Sequence, residues 1–187
     1  MFDETHQTSR LIFRPPTVAD APLLFERWTS CDEVTRFLLW EPHQNVNITR
    51  EFLAGCEKAW RHKTTRFPWV LMRHGDANLE PIGMIELNIK EHIVSIGYVI
   101  APEFWGKGYA TEAVVKVLEF TLSHPSIWRV EAITDIENCA SARVLEKAGM
   151  QREGTLRYYA QRPHFDRPRD VHIYCAIPES VLENGSP

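Results

Sequence analysis

The sequence predicts one α/β domain with a mixed, mostly antiparallel sheet of about seven strands, flanked by about four helices. Two observations carry this prediction. Three apolar segments between residues 67 and 100 follow one another with short turns between them, which is typical of an antiparallel meander. After residue 100 the apolar residues recur at helical spacing, and helices and strands then alternate. No repeat or linker divides the 187 residues, so we expect one domain over 1–187 with its core at about 8–177.

The first third of the chain predicts one strand and two helices. Arg10 to Arg14 has the pattern of a short strand, which the two following prolines end. Thr17 and Asp20 have the spacing of a capping box, which marks the start of a helix. A second helix is expected from Thr49 to His62, because its apolar residues fall near one face.

The three central strands are predicted at Phe67–His74, Ile82–Ile89 and Ile93–Ile100. The second of them alternates apolar and polar residues, as a half-buried strand does. The third is almost entirely apolar apart from Ser95, which predicts a central strand covered on both faces.

The C-terminal half predicts two helices and three strands. The first helix is expected to begin near Lys107. The second lies between Asn138, a good N-cap, and Gly149, a good C-terminal stop. The strands are Trp128–Thr134, Gln151–Tyr159 and Val171–Ile177.

Composition excludes several classes of function. The net charge is −4 and no basic block is present, so nucleic acid is not expected as a direct partner. No apolar run approaches the ~20 residues that span a membrane, and the first ten residues lack a signal-peptide core. The four cysteines are scattered, which argues against a zinc site and a disulfide framework. We therefore expect a cytoplasmic protein without a membrane partner or a metal. A metal site could be suggested by His164, Asp166, Asp170 and His172, but their spacing matches no standard metal motif.

The most informative segment is the glycine-containing turn from Trp105 to Thr111, between an apolar strand and a helix. Gly106 and Gly108 allow unusual dihedral angles, and the helix start offers free N–H groups, so the segment predicts a phosphate site. The spacing fits neither a P-loop nor the dinucleotide-binding fingerprint, which would need a third glycine at Thr111. Glycines that only turn the chain are the alternative.

At these residues the chain resembles the GNAT family of N-acetyltransferases, whose coenzyme A motif is Arg/Gln-x-x-Gly-x-Gly/Ala. Gly108 and Ala110 fall on the last two positions, and Trp105 replaces the first, as in the RimJ/RimL-like branch of ribosomal-protein N-acetyltransferases. Asn138-x-x-Ser141 and the residues up to Met150 are similar to a second block of that branch. The resemblance covers about residues 8–177.

The resemblance implies that acetyl-CoA is the co-substrate and lies in a cleft where the fourth and fifth strands of the sheet splay apart. A helix N-cap for Asn138 and a solvated side chain for Lys107 are the simpler alternatives. The resemblance places the following residues at the cofactor: Tyr98, Val99, Ile100, Trp105, Gly106, Lys107, Gly108, Tyr109, Ala110, Thr111, Asn138 and Ser141.

The reaction implied is direct attack of a neutral amine on the thioester, without a covalent enzyme intermediate. In the related branch a serine at the position of Ser141 is proposed to protonate the leaving thiolate, and many other members use a tyrosine where this chain has Leu145. Glu86 is the candidate base, because it stands on a strand rich in apolar residues. Many relatives carry a glutamate where this chain has Ser95. A plain helical serine and an exposed strand glutamate are the alternatives.

The acceptor is a primary amine, either a protein N-terminus or a small molecule. Two loops that flank the cleft in relatives, Thr29–Asn47 and Ala160–Arg169, are expected to set its identity.

Two alternative functions remain: a catalytically degenerate acyl-CoA-binding sensor and a nucleotide-dependent transferase. A homodimer is also compatible with the sequence. Cys139 is expected to be an inert thiol. Four aromatic residues are weak candidates for the acceptor pocket: Trp40, Trp69, Tyr158 and Tyr159.

Overall fold

A computed structural model describes residues 2–75 and 80–178. The strands are β1 (His6–Gln7), β2 (Leu11–Arg14), β3 (Arg66–Arg73), β4 (Pro81–Lys90), β5 (Ile93–Ile100), β6 (Arg129–Asp135), β7 (Gln151–Ala160) and β8 (Arg169–Ala176). The α-helices are α1 (Ala21–Leu24), α2 (Asp32–Thr35), α3 (Val46–Arg61), α4 (Tyr109–Leu122) and α5 (Cys139–Lys147).

The strands form one sheet in the order β1-β2-β3-β4-β5-β6-β8-β7. Every neighbouring pair is antiparallel except β5 and β6, which are parallel. The predicted meander is therefore β3, β4 and β5. The sheet has eight strands rather than about seven, because the two-residue strand β1 pairs with β2 and is too short to produce an alternating pattern.

Strands β5 and β6 separate soon after they begin. They pair only from Ile93 to Ser95, and the last pair is Ser95 with Glu131. From residue 96 onward β5 pairs only with β4, while β6 pairs with β8 along its length. These are the two strands predicted to splay, since β1 moves the fourth and fifth strands to fifth and sixth.

Helices cover the two faces of the sheet unequally. On one face α4 and α5 pack over the whole centre, with Val114, Val117 and Leu145 fully buried. On the other face α1 and α3 cover only the first strands, where Trp28 and Leu53 are buried. We call this second side of the sheet the open face.

The prediction that β5 is covered on both faces is wrong. Ser95 and Gly97 lie on the open face and are exposed, whereas Val94 and Ile96 are buried under α4. The run of apolar residues overstated the burial because glycine and serine occupy the positions that face outward. The exposed stretch of β5 lies directly beside the gap between β5 and β6.

The largest difference from the predicted helices lies between Thr17 and the start of α3. The capping pair exists, since the Asp20 carboxylate accepts hydrogen bonds from the Thr17 N–H at 2.8 Å and its hydroxyl at 3.1 Å. The helix that follows is broken into a 3₁₀ turn, the short α1 and a π turn ending at Thr29. The next helix, α3, starts at Val46 rather than Thr49, because the Asn45 side chain caps it.

No helix within residues 2–75 and 80–178 has the length and apolar character that a bilayer span requires. The four cysteines are free thiols.

Carboxylates with lowered pKa values make the stability of the fold dependent on acid. Burial alone would raise the pKa values of Asp20 and Asp135, but hydrogen bonds from Arg14 and Arg169 outweigh it and lower both. Hydrogen bonds from Arg129 hold the pKa of Glu153 at about 2. Groups whose pKa is lower in the folded state stabilise it above their ordinary values and lose this contribution as the pH falls towards the folded values.

We therefore expect the free energy of unfolding to fall steadily between about pH 4 and about pH 2. Urea titrations at pH 7, 4 and 3 measure this. Glu153→Gln should flatten part of the dependence, because an amide cannot titrate. Equal free energies of unfolding at pH 7 and pH 3 would contradict the assignment.

Candidate active site

The glycine turn lies at the end of β5, beside the mouth of the gap. Gly106 and Gly108 have φ angles of +71° and +81°, in the left-handed region that favours glycine. The Trp105 indole donates a 2.6 Å hydrogen bond to the Ile100 carbonyl and holds the turn against the strand. Because Gly108 is left-handed, α4 begins at Tyr109 and not near Lys107 as predicted.

The turn presents a continuous run of backbone N–H groups. Among the described residues, none of the amides from Gly106 to Thr111 donates a hydrogen bond, and the first to do so is that of Glu112, to the Gly108 carbonyl at 3.0 Å. Six consecutive free donors at the positive end of a 14-residue helix form an anion site of the kind that binds phosphate. The run consists of the amides of Gly106, Lys107, Gly108, Tyr109, Ala110 and Thr111.

The side chain of Arg10 contacts this turn, although the sequence motifs did not mark Arg10 as a site residue. Its guanidinium donates to the Lys107 carbonyl at 3.0 Å and to the Glu112 carboxylate at 2.6 Å, and it lies 4.6 Å from the centre of the Tyr109 ring. Lys107 itself turns away, since its ammonium donates to the Glu103 carbonyl at 2.7 Å. Arg10 is therefore a fixed cation beside this turn.

Tyr98 and Ser141 face each other across the gap. The two hydroxyl oxygens are 2.9 Å apart, and the Tyr98 hydroxyl is also 3.2 Å from the Ser141 carbonyl. Asn138 caps α5 by accepting the Ser141 N–H at 3.1 Å, so the predicted cap exists and also fixes the first turn that carries Ser141. Burial raises the pKa of Tyr98 to about 12, so its hydroxyl stays protonated near neutral pH.

The backbone of β5 alternates in the direction that its peptide groups face. The Ala101 N–H bonds to the Ile82 carbonyl of β4. By alternation the peptide groups of Tyr98 and Ile100 face the gap, and those of Val99 face β4. The Ile100 carbonyl already accepts the Trp105 indole, so Tyr98 offers the free pairing edge.

Two carboxylates stand on the open face on either side of Gly97. Glu86 on β4 is opposite Gly97 and accepts hydrogen bonds from Arg66 at 2.5 Å and Asn88 at 2.8 Å. Glu131 on β6 lies at the apex of the gap and accepts only longer bonds, from Ser95 at 3.2 Å and Arg129 at 3.4 Å. A side-chain carbon at Gly97 would meet no atom within 4 Å, so the space between the two carboxylates is open.

The two segments expected to flank the cleft contact each other. The Thr35 hydroxyl lies 3.2 Å from His164 Nε2, and the rings of Phe37 and Phe165 stack with centroids 6.1 Å apart. The loop between β7 and β8 and the segment around α2 thus close one end of the open face.

The structure rejects one of the aromatic candidates for the acceptor pocket. Trp69 is fully buried among the residues under α4, on the opposite face of the sheet. Tyr158 and Tyr159 are exposed on the edge strand β7, and Trp40 packs against His43.

The residues whose types could suggest a metal are engaged in other contacts. His164 meets Thr35, His172 Nδ1 lies 2.9 Å from the Thr155 hydroxyl, and the Asp170 carboxylate accepts the Tyr158 N–H at 2.8 Å. In the part of the chain that the structure describes, no group of three or more His, Cys, Asp or Glu side chains could hold a metal ion. Cys139 is an exposed free thiol at the start of α5.

Comparisons with known proteins agree with this architecture. The family model described as an acetyltransferase (GNAT) domain matches residues 10–151. The uncharacterized N-acetyltransferase YoaA of Bacillus subtilis is 31% identical over 91% of this chain and 95% of its own length. A crystal structure of a GNAT-family acetyltransferase from Bacillus anthracis superposes with a TM-score of 0.80 at 26% identity, over 94% of this chain and 99% of that one. RimL, a ribosomal L7/L12 alpha-N-protein acetyltransferase solved with coenzyme A, has a TM-score of 0.79 at 18% identity, over 92% of this chain and 97% of its own, and shows the fold alone.

A sheet opened between two parallel strands, with a free-amide turn at the mouth of the opening, belongs to the class of α/β acetyltransferases. This chain is a member of the GNAT acetyltransferase family.

Proposed function

We propose that this acetyltransferase transfers the acetyl group of acetyl-CoA to a primary amine by direct attack within a ternary complex. The observation that carries the proposal is the run of six free backbone amides at the mouth of the gap. A diphosphate needs several convergent donors, and a pantetheine arm needs an extended path with an unpaired strand edge. The turn and the edge of β5 supply both within one continuous segment.

The residues present fit this co-substrate, which supplies the activated acetyl group. The turn amides would bind the diphosphate, with Arg10 adding positive charge. The edge of β5 at Tyr98 would pair with the pantetheine, and a peptide N–H there could polarise the thioester carbonyl. The thioester would then lie near Gly97, between the open face and Ser141 on α5.

Proton transfer is assigned to two sides of the gap. As the amine nitrogen bonds to the acetyl carbon and the carbon–sulfur bond breaks, the thiolate takes a proton from the Ser141 hydroxyl, which Tyr98 orients and which regains its proton from solvent water. The amine loses its proton to a carboxylate on the open face, directly or through water. Glu86 remains a candidate for this role, and Glu131 is a second one that the sequence analysis missed.

The contacts favour Glu131 over Glu86 as the proton acceptor. Short hydrogen bonds from Arg66 and Asn88 already occupy both oxygens of Glu86, and Glu86 stands one strand away from the gap. Glu131 borders the gap, and Glu153 takes the two terminal nitrogens of Arg129. We therefore expect Glu131→Gln to lower kcat/KM about 100-fold and to abolish its rise with pH. Glu86→Gln should retain the pH profile.

The pH dependence of kcat/KM in the two glutamine variants distinguishes the candidates, because glutamine keeps the size of glutamate but cannot take up a proton. If Glu86→Gln abolishes the rise with pH and Glu131→Gln keeps it, the assignment reverses.

The acceptor class is proposed from the loops and the branch resemblance. Trp105 in place of the Arg or Gln of the motif, together with Asn138 and Ser141, supports the RimJ/RimL-like branch, whose acceptors are protein N-terminal amines. RimL itself is described as a ribosomal L7/L12 alpha-N-protein acetyltransferase. A cytoplasmic location belongs to the same proposal and is supported by four free cysteines.

Thioester consumption in the presence of an amine panel tests the function. The panel contains peptides with free N-termini, polyamines and amino acids, each with an N-blocked counterpart. We expect release of coenzyme A that depends on the free amine. A protein that binds acetyl-CoA but releases no coenzyme A with any amine would instead be a binding module.

A further inference from the structure

Arg162, in the loop between β7 and β8, is a buried cation that lacks hydrogen-bond acceptors. The residue is 4% exposed. Its guanidinium donates no hydrogen bond among the described residues, and its Nε atom is fully buried without a partner. Burial lowers the pKa of Arg162, against the opposing effect of Asp135.

The nearest carboxylate is already satisfied by other donors. Asp135 Oδ2 lies 3.9 Å from the Nε of Arg162, which is too long for a hydrogen bond. Asp135 instead accepts the Arg169 Nε at 3.0 Å, the Arg169 Nη2 at 3.2 Å and the Glu137 N–H at 2.9 Å. Asp135 therefore offsets part of the charge of Arg162 and leaves its hydrogen-bonding capacity unused.

This guanidinium lies on the acceptor side of the gap. Asp135 is the last residue of β6 and points to the open face, because Ala132 and Val130 point to the face covered by α4 and α5. The loop that carries Arg162 contacts the α2 segment through His164 and Phe165. Arg162 thus sits where the two acceptor-flanking segments meet, at the end of the strand that borders the gap.

A buried guanidinium without acceptors is costly, and native proteins rarely keep such a group without a use for it. Its planar donors match a carboxylate, which accepts two parallel hydrogen bonds. Resting on the proposed acetyl transfer, we propose that Arg162 binds a carboxylate of the acceptor, so that the substrate is an amine that also carries an anionic group.

The fold sets the separation between the two ends of such a substrate. Glu131 and Asp135 are four residues apart on β6, which places them about 13 Å apart at about 3.3 Å per residue. A hydrogen bond of about 3 Å at each end leaves roughly 7 Å between the amine nitrogen and the carboxylate. The amine and the carboxylate should therefore be separated by several bonds, as in a dipeptide or a long ω-amino acid, rather than by one carbon.

Matched pairs of acceptors test this. The series is glycine, β-alanine, 4-aminobutyrate, 6-aminohexanoate and glycylglycine, each as the free acid and as the carboxamide. We expect wild-type kcat/KM to favour the acid over the amide, most strongly for the longer members. In Arg162→Gln the preference should fall about 10- to 100-fold through a raised KM, with the amides unchanged.

Arg167→Gln is the matched control, because Arg167 lies in the same loop and is exposed. It should keep the preference for acids. Arg162→Lys retains the charge without the planar donors and should recover only part of the preference; it also serves if the glutamine variant folds poorly.

A binding measurement separates this inference from the proposed function. In the presence of coenzyme A, N-acetyl-6-aminohexanoate should raise the melting temperature of the wild type more than its amide does, and Arg162→Gln should lose that difference. Equal effects of acid and amide on the wild type, or equal losses for both in Arg162→Gln, would overturn the role of Arg162. Failure to acetylate any amine would instead overturn the proposed function.

Discussion

Replacing Gly108 with tryptophan should lower the affinity for acetyl-CoA at least about 100-fold. Gly108 adopts a φ of +81° at the centre of the free-amide turn, and a side-chain carbon there would lie 3.5 Å from Arg10. A larger side chain would occupy the space that the diphosphate needs and would displace Arg10. Losing several charge-assisted hydrogen bonds, each worth roughly 1.5–3 kcal/mol, accounts for an effect of this size. Isothermal titration calorimetry with acetyl-CoA measures it.

Gly75 provides a matched control for this substitution. It has a φ of +84°, and a side-chain carbon there would meet no atom of residues 2–75 and 80–178 within 4 Å. Gly75→Trp therefore imposes the same backbone strain outside the free-amide turn. We expect its affinity to equal that of the wild type. If the folded Gly108→Trp variant retains wild-type affinity, the diphosphate does not lie on this turn.

Ser141→Ala should lower kcat about 100-fold while the KM for acetyl-CoA changes less than about threefold. A general acid acts only as the leaving group departs, so its loss affects the transition state more than the bound ground state. Steady-state kinetics at saturating amine give both values. An unchanged kcat would remove Ser141 from the mechanism.

Two further variants distinguish catalysis from packing at this position. Tyr98→Phe removes the 2.9 Å contact but keeps the ring, so it should lower kcat by about tenfold if Tyr98 orients Ser141. Ser123→Ala removes a hydroxyl that bonds the Glu119 carbonyl at the end of α4, away from the gap, and should leave kcat unchanged.

Local patterns were sufficient to predict most of the elements and the position of the glycine turn. The period change after Ile100, the cap at Asn138 and the left-handed stop at Gly149 each depend on a few adjacent residues, and the structure contains all three. The fold class followed from their order. The limits of α3 and α4 moved by two or three residues, because the caps Asn45 and Gly108 decide them.

Contacts between distant residues could not be predicted from the sequence. Arg10 meets Glu112 across about 100 positions, and no local pattern marks Arg10 as part of a phosphate site. Glu131 sits in a strand whose open side became visible only from the separation of β5 and β6. The isolation of Arg162 depends on which donors Asp135 already accepts, which is a property of the folded loop.

Within the sheet itself, the two halves are joined by the three strand pairs from Ile93 to Ser95, and the hydrogen bond between Tyr98 and Ser141 adds a contact across the gap. A linear ligand lying between β5 and β6 would take the place of the missing strand pairs and connect the two halves of the sheet. Binding of such a ligand should therefore also stabilise the folded protein, since whatever binds the native form preferentially stabilises it.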